Sequence, residues 1–316
     1  MSTTFASATD TADQKAKLVE FATDVYGYVS DFDPNVGLIV GDESCLVIDT
    51  RATPRMAREF IADIRTITDK PVRHVFLTHY HAVRVLGASA YKNAEIISSR
   101  DTLEMIRTTG QFDFEVEMRR FPRLFKGAEE IPGLTTPHLT FDREMSFWFN
   151  GREVRLRAAG RGHTAGDSIC WLPEERVLFT GDLLEQRATP YTGEGFLSDW
   201  IARLDELTAL DAKVAMPGRG AALTGTKAVQ ASIADMKGFL VALRNVIGGS
   251  VEQGLDLVAT YKRALAELQP RYGDWAIFGH ALPFDVARAF DEARGMDTPV
   301  PWTAERDQDL WKALHA

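Results

Sequence analysis

Short apolar runs and stretches of helical spacing alternate through the first two thirds of the chain. Residues 26–28, 36–40 and 45–48 predict three short strands, the last two joined by a turn at Gly41-Asp42-Glu43-Ser44. Residues 53–67 place apolar side chains at helical spacing, and 71–77 predict a buried strand that runs into Thr78-His79-Tyr80-His81. A small-residue helix near 87–91 and a strand at 94–98 follow. Strand, helix and strand with short links is an α/β pattern. Residues 101–142 are the least periodic, with Pro122, Pro132 and Pro137 among Phe112, Phe114, Phe121 and Phe125. Two readings stand for them: a segment covering a substrate, or a solvent loop anchored by its phenylalanines.

Beyond this insertion, residues 144–149 and 153–156 flank Asn150-Gly151, a strong hairpin signal. A second hairpin is predicted at 168–172 and 176–179, then a helix at 197–210 and a strand at 213–216. From residue 226 the pattern is helical, through 229–247, 251–268 and 283–292. No internal repeat or low-complexity tract is present.

Composition narrows the class. The 316 residues are 45% hydrophobic and 26% charged, enough apolar material for a large core and no sign of a disordered chain. The net charge of −9 argues against nucleic acid or an anionic membrane surface as the main partner. Cys45 and Cys170 are isolated thiols, as in a reducing compartment, and residues 1–20 read as a polar tail without a secretory apolar core. The expectation is a cytoplasmic protein.

Histidine carries the chemistry. His79 and His81 lie two apart after a buried strand, so extended backbone sends both rings to one side. Three other predicted strands end in polar, glycine-flanked segments: Gly162-His163-Thr164-Ala165-Gly166-Asp167, Thr180-Gly181-Asp182 and Pro217-Gly218-Arg219-Gly220. In layered α/β sheets such ends converge on one edge, where ligand sites are built.

In this order the segments resemble the metallo-β-lactamase superfamily. Asp49 closes an early strand, an HxHxDH-like loop follows at residues 79–84, and the GH, GD and PGxG segments come after it. The resemblance covers most of residues 26–222. It implies a four-layered αββα sandwich over 21–225, with a metal site at one edge and a helical C-terminal extension over 226–316. It further implies that His79, His81 and His163 form one metal site, with Asp182 at the bridging position. The ligand positions of a second metal hold Val83, Arg84 and Arg219 instead. Two guanidiniums repel a second divalent ion, so one metal per chain is expected.

Three imidazoles with an open position suit zinc, and histidines with a carboxylate also suit non-haem iron. Asp182 is the catalytic candidate, as fourth ligand or as acceptor of the proton from metal-bound water. Arg84 and Arg219 offer planar forks for a carboxylate, sulfonate or phosphate and are the substrate-binding candidates. The alternative is that each makes a structural ion pair, for example with Asp182 or Asp49. The function expected is a zinc hydrolase attacking an ester, lactone, amide or thioester of an anionic small molecule. A one-iron oxidoreductase similar to persulfide dioxygenases, and a non-catalytic binding protein with a degenerate site, are the alternatives. Asp49 is expected to orient the metal loop, and His74 to be packed or solvated. The roles of Asp167, His138 and His280 stay open. Trp275, Phe278, Phe284 and Trp302 are expected to offer an apolar interface for a homo-oligomer.

Overall fold

The computed structural model describes residues 15–30 and 33–315. Seven strands, β1 (Lys17–Ala22), β2 (Val25–Val29), β3 (Val36–Val40), β4 (Cys45–Ile48), β5 (Val72–Phe76), β6 (Glu95–Ser99) and β7 (Leu139–Phe141), form one sheet in chain order. Pairing is antiparallel from β1 to β4 and parallel from β4 to β7. Parallel neighbours need crossovers, and these carry α1 (Pro54–Ile64), α2 (Ala82–Val85), α3 (Arg100–Thr108) and α4 (Gly110–Arg120). The second sheet runs β13-β12-β11-β10-β9-β8, built from β8 (Glu144–Phe149), β9 (Arg152–Gly160), β10 (Asp167–Leu172), β11 (Val177–Phe179), β12 (Val214–Met216) and β13 (Leu223–Thr224). Helix α5 (Leu197–Ala209) links the parallel pair β11 and β12. The chain ends in α6 (Thr226–Glu252), α7 (Leu257–Tyr272), α8 (Phe278–Ala293) and α9 (Ala304–His315).

The layering follows from the two-residue strand period. Ile39, Leu46, Ile48 and Phe76 of the first sheet meet Leu156, Cys170, Leu172 and Phe179 of the second in a core between the sheets. Their neighbours Leu38, Val47 and Val75 turn outward onto Phe60 and Ile64 of α1, while Ile169, Trp171 and Leu178 turn onto Trp200, Leu204 and Met236 of α5 and α6. Strands buried on both faces read as continuous apolar runs, and this arrangement is the expected αββα sandwich with helices at its C-terminal end. Local signals agree with it. The Thr53 hydroxyl accepts from the Met56 N–H with Pro54 opening α1, a standard helix start. Asn150 and Gly151 both have positive φ, as a two-residue hairpin requires.

Several elements differ from the sequence reading. Of the expected tail, residues 1–14 lie outside the described residues, and Lys17–Ala22 is the edge strand β1. The insertion is largely helical; α4 is not evident from apolar periodicity because its buried positions include Asp113 and Arg120 beside Val116. Trp275, Phe278, Phe284 and Trp302 are buried within the chain and offer no surface to a second copy. Both cysteines are buried and free. Among the described residues no helix is long and apolar enough to cross a membrane.

Asp285 of α8 is fully buried; its Oδ1 accepts from the Thr192 N–H at 3.0 Å and hydroxyl at 2.9 Å, and its Oδ2 has no hydrogen-bond partner. Burial pushes its carboxyl up to about 8, against the opposing Thr192 hydrogen bonds. The folded state therefore holds a proton that the unfolded chain releases near pH ~4, so stability contributed by this group declines as pH rises from about 4 to about 8. Asp285→Asn keeps an acceptor and removes the titration. In urea unfolding at pH 6 and pH 9, the variant is expected to gain on the parent at the higher pH. Curves that stay parallel would show that Asp285 is ionised throughout.

Candidate metal centre and its cavity

The polar segments all leave the C-terminal ends of strands or the turn beside them, and the two sheets bring them to one edge. His79 and His81 follow β5, His163 follows β9, Asp182 follows β11, and Gly218 and Arg219 follow β12. Two glycines permit the close approach. Gly181 has φ of 52°, and a Cβ there would meet the Thr78 hydroxyl at 2.7 Å. A Cβ on Gly218 would collide with Asp182 Oδ1. The GD and PG pairs are thus backbone requirements of the site as well as signatures.

His79, His81, His163 and Asp182 are all buried, and one ligand atom of each lies within 4.8 Å of the others. His163 Nε2 is 3.0 Å from His81 Nδ1 and 3.6 Å from Asp182 Oδ2, and His79 Nε2 is 3.5 Å from that same oxygen. Four ligands held ~2.0–2.1 Å from a tetrahedral ion sit roughly 3.4 Å apart. His79 Nε2 is buried without a hydrogen-bond partner, an orphan that a metal ion would satisfy. The residues therefore fit a divalent metal.

The histidines are oriented from behind. Asp49 accepts from the Thr78 N–H at 2.9 Å and from its hydroxyl, and the Thr78 Oγ1 lies 2.9 Å from His79 Nδ1. With the hydroxyl committed to Asp49, His79 Nδ1 donates and its Nε2 lone pair faces the cluster. Burial lowers His79 well below the usual imidazole range and takes His163 to about 3, leaving both neutral as ligands must be. At His81 the opposite holds: Glu194 and Asp113 outweigh burial and push it up to about 9.

The structure separates the two arginines. Arg84 is completely buried; its guanidinium donates to Asp182 Oδ1, the Asn35 carbonyl and the Gly218 carbonyl, and faces Asp49 at 3.7 Å. Burial alone would raise the Asp182 carboxyl, yet the Arg84 guanidinium holds it well below the ordinary carboxylate range. Arg84 thus makes the ion pairs with Asp182 and Asp49 and does not line the cavity. Arg219 does line it, 3.4 Å from Glu185 Oε1.

That cavity opens onto His81, His163 and Asp182. Val83, Phe121, Leu124, Ile277, Ala281 and Phe284 give it apolar walls, and Glu117, Glu185, Arg123, Arg219, Tyr191 and His280 its polar groups. The insertion contributes through Glu117, Phe121, Arg123 and Leu124, so it covers the site. His280 lies among the rings of Phe121 and Phe284 at the cavity wall. His138 lies apart, its Nδ1 accepting from the Ile96 N–H, and Asp167 holds the turn of Thr164. His74 lies against Phe147 and Phe149. Sequence reasoning missed Glu194, Asp113 and Glu185, which stand in no recognisable motif.

A family model for the metallo-beta-lactamase superfamily matches residues 29–219. A linear primary-alkylsulfatase from a Pseudomonas species is 24% identical over 225 residues, covering 61% of this chain and 42% of the relative. A type 2 metallo-beta-lactamase from Elizabethkingia meningoseptica is 31% identical over 171 residues, covering 52% of this chain and 59% of the relative. The solved sec-alkylsulfatase Pisa1 from Pseudomonas superposes with a TM-score of 0.71 at 18% identity, over 88% of this chain and 50% of that one. The chain thus spans half or less of the alkylsulfatases it matches. With the family model running across both sheets and its strand-end histidines and aspartate gathered at one edge, the chain belongs to the metallo-β-lactamase superfamily.

Proposed function

We propose that the chain is a single-metal hydrolase for a small anionic ester carrying an apolar body, with alkyl sulfate esters as the first class to test. The observation that carries this reading is the His79–His81–His163–Asp182 cluster beside a cavity with apolar walls, lined also by Arg123 and Arg219. Zinc held by these four residues would supply Lewis acidity to a water nucleophile and to the ester. Asp182 serves as ligand, because its Oδ1 is engaged by Arg84 and its Oδ2 faces the histidines. Arg84 supplies the positive charge between Asp182 and Asp49, so a second metal is not required there and one per chain is expected. Likeness to the alkylsulfatases supports the choice of substrate class.

Arg219 binds the anionic group. Burial pushes its neighbour Glu185 up to about 8, although Arg219 itself opposes the shift. Arg219 lines the cavity 3.4 Å from Glu185 Oε1, and its planar fork suits an anionic group. The apolar walls orient the body of the substrate and exclude water from it.

The test is elemental analysis of the purified chain, followed by hydrolysis assays on alkyl sulfates and carboxylate esters of matched length. One zinc per chain with turnover of an anionic ester is the expected result. Stoichiometric iron with oxygen uptake, or a chain that takes up no metal, overturns it. Arg219→Met is expected to weaken an anionic ligand by about 1.5–3 kcal/mol, the size of a charge-assisted hydrogen bond, with metal content unchanged. Isothermal titration with the anion and a neutral isostere checks this, and equal losses for both would remove Arg219 from recognition.

A further inference from the structure

Residues 187–197 form a strap between the metal edge and the C-terminal helices. It is tied down at several points: Thr189 N–H donates to the Ala276 carbonyl, Thr192 to Asp285 of α8, and Leu197 N–H to Glu292 of α8. The Tyr191 hydroxyl meets the buried Arg120 guanidinium at 3.1 Å, and Phe196 N–H donates to the Gly162 carbonyl beside His163. At the centre of this strap Glu194 turns inward. Its Oε2 lies 3.2 Å from His81 Nε2 and also accepts from the Tyr80 hydroxyl. Asp113 of α4 stands beside them, its Oδ2 accepting from the Ala82 N–H at 2.6 Å.

His81 has two ring nitrogens with different surroundings. Nδ1 faces His163 and the metal position, and Nε2 faces Glu194. A carboxylate is acceptor-only, so an imidazole nitrogen against it must carry the proton, and once the ring is neutral, as metal binding requires, the other nitrogen presents its lone pair. We propose that Glu194 is a positioning residue for the metal: it accepts the Nε2–H of His81 and so holds the Nδ1 lone pair on the metal position. This rests on the single-metal reading above. It also gives the C-terminal helices a task at the site, since α8 anchors the strap from which Glu194 reaches His81. The same three groups, His81, Asp113 and Glu194, lie close enough to be ligands themselves. All three already have protein partners, which favours positioning over ligation.

The probe is the zinc ion, titrated against a chromogenic chelator into the parent, Glu194→Ala, Glu194→Gln and Tyr80→Phe chains. Partners behind a metal-bound histidine are typically worth about 10–100-fold in affinity, and a loss of this size is expected for Glu194→Ala. Glu194→Gln keeps a carbonyl acceptor and is expected to recover most of it, and Tyr80→Phe to lose less than the alanine variant. Long-range proton–nitrogen spectra of the metal-free chains provide a second reading. Recorded at about pH 10, above the point where the His81 ring of the metal-free chain loses its second proton, His81 should be the Nε2–H tautomer in the parent and a mixture in Glu194→Ala, with unchanged thermal midpoints of the metal-free proteins. Zinc affinity within twofold of the parent, with the tautomer unaltered, overturns the positioning role alone. Two zinc ions in the parent and one in Glu194→Ala overturns it as well, by making Glu194 a ligand. A parent that binds no zinc overturns the proposed function, while the tautomer spectra still decide the Glu194 contact.

Discussion

Replacing His163 by alanine is expected to strip the metal from an otherwise folded chain. Zinc binding to a four-ligand protein site is worth roughly 10–16 kcal/mol, so one ligand of four carries about 3–4 kcal/mol, or roughly 100–1,000-fold in affinity. His163 packs edge-on against Trp200 at 5.2 Å, and its loss also leaves a small void beside that ring. The two effects separate experimentally. Metal content after dialysis against a weak chelator reads the ligand, and the thermal midpoint of the metal-free proteins reads the packing. His79→Ala should lose metal to a similar extent with less damage to packing. Full metal retention in either variant would show that the cluster is not the site.

Arg84→Met is expected to be the most destabilising single change at this edge. The guanidinium is wholly buried between Asp182 and Asp49, and its removal strands two buried carboxylates. Breaking a buried pair by deleting one partner costs about 3–5 kcal/mol, because the remaining charge is left without compensation. Asp49 already shows the strain of burial: its carboxyl stands at about 6, raised by desolvation and restrained by Arg84 and the Thr78 N–H. Urea unfolding of metal-stripped protein measures the loss. The double variant Arg84→Met with Asp182→Asn should recover much of it, since the charge left stranded is then removed. A cost below about 1 kcal/mol, in the range of an exposed pair, would mean that the arginine is dispensable to the fold.

These two predictions bear on residues that the sequence presented very differently. The histidines were legible because each ends a strand, and strands buried on both faces are visible as unbroken apolar runs such as Val36–Val40 and Cys45–Ile48. Once those runs are assigned, the polar residues after them must emerge along sheet edges, and the order GH, GD, PG limits where they meet. Arg84 and Arg219 were legible only as a pair of cations at ligand positions. A guanidinium on a long side chain reaches either a carboxylate behind the site or the cavity in front, and local sequence does not choose between them. Tertiary packing chose: Arg84 turned back onto Asp182 and Asp49, and Arg219 stayed at the cavity beside Glu185.

The apolar pattern of the chain by itself gave most of the strands and helices, while the two-sheet sandwich and the candidate ligands His79, His81, His163 and Asp182 came from the order of the polar motifs and the family they resemble. Burial patterns of period two and 3.6 are local properties, and a residue's neighbours three or four places away suffice to express them. Helix α4 escaped this reading because its inward face carries Asp113 and Arg120, polar groups that are buried only because Ala82, Glu117, Tyr191 and Asp307 wait to pair with them. Glu194 escaped it for the same reason, since its meaning lies in His81, 113 positions earlier. Buried polar groups depend on partners supplied from distant parts of the chain, and such partners exist only after the tertiary structure has formed.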